Sequence, residues 1–190
     1  MEEFSFEVNR TITFQNQNNH KLQYKPDNIF IKNIVIGIRP KDTDDWIGYI
    51  ECNLWNVLSQ KDNFWHYANE IEKDQEEKPF LAACNFVRIK NTSKKPFGNK
   101  GMSGWAIYIS EMTIYEDILS QYSILDANKL RSEVLNIFPT ILQYGFCIKP
   151  TYLFTSDMQV NPELLNITDF HKIGTINAGK ISLFMKTCKS

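Results

Sequence analysis

The chain has 190 residues, the size of one ordinary domain with one sizeable core, and reads as a single domain over 1–190. Its 21 Lys and Arg stand against 22 Asp and Glu, a formal charge of −1. That balance excludes both the broad basic field of a duplex-binding surface and the acidic field of a nucleic-acid mimic. The opening MEEFSFEVNRTITF has no basic segment followed by an apolar one, and no apolar run approaches the span of a bilayer. A soluble, cytoplasmic protein with no membrane partner is therefore expected.

In chain order, FSFEVNRTITF (4–14) alternates apolar and polar residues and reads as a half-buried strand, ended by the polar run QNQNNHK. NIFIKNIVIGIRP (28–40) and DWIGYIECNLWNV (45–57) are strand-like runs joined by KDTDD, which suggests an antiparallel hairpin. From Asn63, a capping residue, NFWHYANEIEKDQEE shifts to helical spacing and predicts a helix over 63–77. FLAACNFVRIK reads either as a helix end or as a strand. NTSKKPFGNKGMSG (91–104), with three glycines and a proline, reads as a solvated loop in preference to an anion site.

WAIYISEMTIYEDI (105–118) is the strongest strand of the chain. Strand parity puts Ala106, Tyr108, Ser110, Met112 and Ile114 on one face, and Trp105, Ile107, Ile109, Glu111, Thr113 and Tyr115 on the other. Both faces are largely apolar, as in a central strand covered on two sides. Asp126 then caps a long amphipathic helix, ANKLRSEVLNIFPTILQY, with Leu130, Val134, Ile137, Ile141 and Leu142 as its buried stripe. Pro139 is expected to kink that helix and Gly145 to stop it. FCIKPTYLFTS returns to strand, NPELLNITDFHKIG starts a helix with Asn161 as cap and Pro162 in first position, and KISLFMKTC is a last strand.

Cys52, Cys84, Cys147 and Cys188 stand apart, with no CxxC and no Cys/His cluster, so neither a metal site nor a dense disulfide framework is expected, and the thiols read as small buried hydrophobes. The tripeptides at Asn9, Asn91 and Asn166 match glycosylation acceptors, as chance matches in a chain without a secretory signal. Ser110 and Cys147 have no visible histidine partner, and His66 and His171 are isolated, so nucleophilic catalysis gains little support. Lys90, Lys94, Lys95 and Lys100 around Phe97 could track a single nucleic-acid strand. A charged surface loop explains the same residues with less, and a nucleic-acid partner is not expected.

The order hairpin, central strand, long helix, strand, short helix, strand resembles the acetyltransferase fold of the GNAT superfamily. The likeness is strongest over 105–185, where YISEMTI resembles the family's central strand and DFHKIGT its closing phrase. The resemblance implies an α/β (α+β) fold with a mixed, mostly antiparallel central sheet flanked by helices. It further implies acetyl-CoA or another acyl-CoA as co-substrate, an amine as acceptor, Glu111 as base, and the amides of Met112, Thr113 and Ile114 orienting the thioester.

The chain also departs from the family. The acetyl-CoA motif Q/R-x-x-G-x-G/A, whose amides bind pyrophosphate at a helix N-terminus, has no counterpart in EDILSQYSILDANKLRSE, which lacks glycine and carries Glu116, Asp117 and Asp126. The tyrosine that often protonates the departing thiolate aligns with Phe170, and the helix over 63–77 follows the hairpin instead of preceding it. Two function classes follow: a divergent N-acyltransferase, or a non-catalytic member of the fold that binds a protein or small molecule, for which its 4 Trp, 8 Tyr and 13 Phe leave aromatic side chains to spare. For Glu111 the alternative to a base is a carboxylate paired with Arg88 or a lysine in the sheet.

Overall fold

The computed structural model describes residues 4–9, 30–40, 43–56, 79–80, 82–83, 104–122 and 126–188. The helix expected over 63–77, the loop over 91–103 with its lysines, Arg88, Cys84, His66 and the second half of the first strand lie outside them. Among the described residues seven strands form one sheet: β1 (Phe4–Asn9), β2 (Phe30–Pro40), β3 (Gly48–Asn56), β4 (Trp105–Ile114), β5 (Pro150–Ser156), β6 (His171–Ile176) and β7 (Ile181–Thr187). Their spatial order is β1-β2-β3-β4-β5-β7-β6. Every neighbouring pair is antiparallel except β4 and β5, which run parallel. The sheet is thus mixed and mostly antiparallel with helices packed against it, the α/β (α+β) architecture that the resemblance implies.

A parallel pair needs a crossover, and here it is α2 (Ala127–Phe146), which follows the short α1 (Glu116–Leu119). Asp126 caps α2 by accepting from the amides of Asn128 and Lys129 at 2.9 and 3.0 Å. The helix runs uninterrupted through Pro139 and past Gly145. It ends where Cys147 turns left-handed (φ 56°) and both Cys147 and Ile148 donate to the Leu142 carbonyl. That cap leaves Cys147 exposed, against the expectation of a buried thiol, while Cys52 is buried and Cys188 partly so. The buried stripe of α2 is Leu130, Val134, Leu135, Phe138 and Leu142; Ile137 is turned outward and Ile141 lies at the margin.

This stripe packs on one face of the sheet, over Ile36, Ile38, Ile50, Cys52, Leu54, Ile107, Ile109 and Leu153, together with Leu164 and Leu165 of α3 (Pro162–Ile167). Removing each such side chain from water contributes about 1.5–3 kcal/mol. Asn161 caps α3 with Pro162 in its first turn, as expected, but α3 ends at Ile167, and HKIG, read in sequence as part of that helix, belongs to the edge strand β6. The opposite face carries a second, smaller cluster of Ala106, Tyr108, Tyr152, Phe154, Ile173, Ile181 and Leu183, joined by Phe80 and Ala83. The Phe80 ring lies 6.0 Å from Tyr108 and 6.2 Å from Phe154, so the described part of FLAACNFVRIK is helical and covers this face.

Candidate active site

The sheet opens between its two parallel strands. β4 and β5 pair from Trp105↔Pro150 to Tyr108↔Phe154, and beyond Tyr108 no described residue of β5 pairs with β4. The last tie is a side chain: the buried Thr155 hydroxyl donates to the Ile109 carbonyl at 3.3 Å. At the closed end, Gly104 (φ +93°) enters β4 against β5, and a Cβ there would lie 2.1 Å from the Thr151 hydroxyl oxygen.

Past Tyr108 the opposite edge of β4 remains paired with β3, but not in even register. Cys52 faces Ile109 while Glu51 faces Glu111, so Ser110 is an extra residue, a β-bulge. Ser110 donates its hydroxyl to the Glu51 carbonyl at 3.2 Å. The bulge reverses the strand's parity. Ile107 and Ile109 before it, and Met112 and Ile114 after it, all enter the core under α2. Glu111 and Thr113 are thereby turned to the opposite face, the one that Tyr108 occupies, and not to the face of Ile109 as simple alternation predicts.

The backbone beyond the bulge alternates as well. Tyr115 donates its amide to Ile47 on the β3 side at 2.9 Å, so the amides of Thr113 and Glu111 point the same way and those of Met112 and Ile114 point into the gap beside β5. The close approach of Gly48 agrees with this, since a Cβ there would sit 2.4 Å from the Thr113 carbonyl oxygen. Of the three amides named from sequence, two open onto the gap; Thr113 contributes its side chain instead.

Around Glu111 the polar groups converge. Tyr49 of β3 donates its phenol to Glu111 Oε1, and Thr113 donates its hydroxyl to the same oxygen at 3.0 Å. Both donors lie on one carboxylate oxygen, which fixes the group and leaves Oε2 toward solvent; Glu111 is exposed. Hydrogen bonding to Glu111 holds the Tyr49 phenol above the usual tyrosine range. The Tyr115 ring stands 6.2 Å from that of Tyr49, and Glu51 lies directly across from Glu111. A partly exposed surface of two carboxylates and two tyrosines can receive a cationic amine through charge and ring faces. Sequence reasoning passed over Tyr49 and Glu51: the signal, Tyr-x-Glu on one strand facing Glu-x-Thr on the next, appears only when the register is known.

Other candidates do not join this site. Phe170 is buried at 1% exposure in the core under α2 and has no proton to give. His171 is exposed on β6, at the far edge of the sheet. Burial pushes the Cys52 thiol upward and that of Cys188 up to about 11, which leaves both poor nucleophiles. Among the described residues no three His, Cys, Asp or Glu side chains gather to hold a metal ion, and no helix is long and apolar enough to cross a membrane.

No protein-family model matches the chain, and no curated protein matches it in sequence. Among solved structures it is similar to the polyamine N-acetyltransferase of Drosophila melanogaster, with 11% identity over 81% of this chain and 74% of that one and a TM-score of 0.46. It is also similar to NAA60 of Arabidopsis thaliana in complex with acetyl-CoA, with 12% identity over 98% of this chain and 100% of that one and a TM-score of 0.47. The same plant protein with a bisubstrate analogue gives 12% identity over 97% and 98% and a TM-score of 0.40. The strand order and the opening between β4 and β5 stand on the chain's own geometry.

Proposed function

We propose that this protein is a divergent GNAT-like N-acyltransferase, transferring an acyl group from an acyl thioester of the acyl-CoA kind to an amine. One observation carries the reading. The amides of Met112 and Ile114 open into the gap between β4 and β5, while Glu111, steadied by Tyr49 and Thr113, lies exposed on the same stretch of strand. The two amides suit the thioester carbonyl and the amide groups of a pantetheine arm. Glu111 Oε2 suits an ammonium group, and accepts its proton directly or through a water. The amine nitrogen then bonds to the carbonyl carbon, the carbon–sulfur bond breaks with its electron pair leaving on sulfur as thiolate, and the nitrogen's surplus proton passes to that thiolate, directly or through a water, to give the amide and the free thiol.

A second reading, a non-catalytic member of the fold that binds a protein or small molecule, is favoured by the occupied N-terminus of α2, whose first amides are already bonded to Asp126. Thiol release from acetyl-CoA across a panel of alkyl and aryl amines decides between them. Amine-dependent release that falls in Glu111→Gln supports transfer. A folded protein that releases no thiol with any amine, and binds neither acetyl-CoA nor acetyl-pantetheine, leaves the binding module.

A further inference from the structure

Because α2 crosses from the C-terminal end of β4 to the N-terminal end of β5, its own N-terminus lies at the open end of the gap. A diphosphate running out of the gap would meet the first amides of that helix. In this chain two of them are taken: Asp126 accepts from Asn128 and Lys129 at 2.9 and 3.0 Å. The nearest guanidinium is engaged too, since Arg131 donates to Glu116 Oε1 and to Asn128 Oδ1, each at 3.0 Å. Asp117, Glu116 and Asp126 put three carboxylates here against the two cations Lys129 and Arg131. A diphosphate would have to displace a carboxylate from its own helix cap, then sit among two others. Deeper in the gap the Met112 and Ile114 amides face a ligand, and among the described residues the two acids of its edges are turned away or engaged: Glu111 lies on the sheet face, and Asp157, just past β5, accepts from the Ser182 amide of β7 at 2.9 Å.

We infer that the acyl donor is recognised through its thioester and pantetheine arm alone, with no contribution from a nucleotide diphosphate, and that Asp126 is the residue that excludes the diphosphate. This rests on the acyltransferase reading and narrows it to donors whose pantetheine end suffices, whether free in solution or attached to a carrier protein.

Isothermal titration of the full chain with acetyl-pantetheine, acetyl-CoA and an acetyl-loaded carrier protein tests it. Several charge-assisted hydrogen bonds to a diphosphate raise affinity by about a hundredfold or more. Here acetyl-CoA and acetyl-pantetheine bind within about threefold of one another, a spread set against the tenfold that 1.4 kcal/mol would give. Asp126→Ser keeps a capping oxygen but drops the charge, so the helix stays folded. In that variant acetyl-CoA gains about threefold or more while acetyl-pantetheine does not change. Tighter binding of the loaded carrier than of either free thioester assigns the arm to a protein-borne source, and binding no tighter assigns it to a free one; both keep the inference. Acetyl-CoA binding about thirtyfold or more above acetyl-pantetheine overturns it and leaves the acyltransferase reading standing. Equal behaviour of both ligands in wild type and Asp126→Ser removes Asp126 as the excluding group. Binding of none of the three removes the acyltransferase reading, and this inference with it.

Discussion

The two ends of β4 are built to different ends from similar residues. From Trp105 to Tyr108 the strand is paired on both edges, and from Ala106 on it is buried on both faces, between the α2 core and the Phe80 cluster. From Glu111 to Ile114 it keeps one partner strand, one buried face and one exposed face. The bulge at Ser110 is the joint. It keeps Met112 and Ile114 in the same core as Ile107 and Ile109 and thereby frees the alternate positions, Glu111 and Thr113, for solvent. A strand can therefore anchor a core and present a site within ten residues, provided its parity is reset between the two.

Substitutions at the two ends break or sharpen this contrast, and the largest effect belongs to the closed one. Ile107→Ala removes a fully buried side chain from the core and should cost about 2–5 kcal/mol in urea unfolding; a cost under about 1 kcal/mol would mean that end is no frame. At the open end, Glu111→Gln should lower acyl transfer by about a hundredfold while moving stability by no more than about 0.5 kcal/mol. A stable variant with an unchanged rate would take Glu111 out of the mechanism. At the boundary, Thr155→Val deletes the hydroxyl that bridges to Ile109 and leaves a buried carbonyl without it. A loss of about 1–3 kcal/mol is expected, with faster hydrogen exchange of the β4–β5 amides than of the β2–β3 amides.

The smallest effect is spectroscopic. The Tyr49 phenol is raised by its bond to Glu111, so the protonated form is the one the fold favours. Its stabilisation is complete below the ordinary tyrosine range and is lost as pH climbs through the raised value. Tyrosinate absorbance, taken as a difference against Tyr49→Phe, should show Tyr49 ionising late in the wild type and nearer the ordinary range in Glu111→Gln. No change between the two would mean the bond does not persist in solution.

Much of the frame was legible from the residues. The run at 105–118 announced a central strand, although the strand ends at Ile114 and Glu116–Leu119 turn into α1; Asp126 and Asn161 announced their caps, and the change from period 2 to helical spacing marked α2. What escaped was register. Nothing in YISEM marks Ser110 as an inserted residue, because a bulge is set by how two strands meet and not by the composition of one. With the bulge unseen, Glu111 was assigned the face of Ile109, and Tyr49 was never brought beside it. HKIG was misread for a related reason: a short amphipathic run suits either period, and only pairing with β7 settles it as strand. The stripe of α2 drifted by about one position for want of a known neighbour to face.

The placement of β7 between β5 and β6 bears on how the molecule is made. The strands β1 to β4 are joined in the order in which they are synthesised, so each finds its neighbour already present. β5 and β6 share no edge and can be united only by a strand that leaves the ribosome after both. Until it arrives, β6 has no strand neighbour and β5 shows a bare flank, while the strand pairing of their side to the rest of the sheet runs through the short parallel seam of β5 with β4. One half of this sheet can grow like a zipper during translation; the other closes as a single late event.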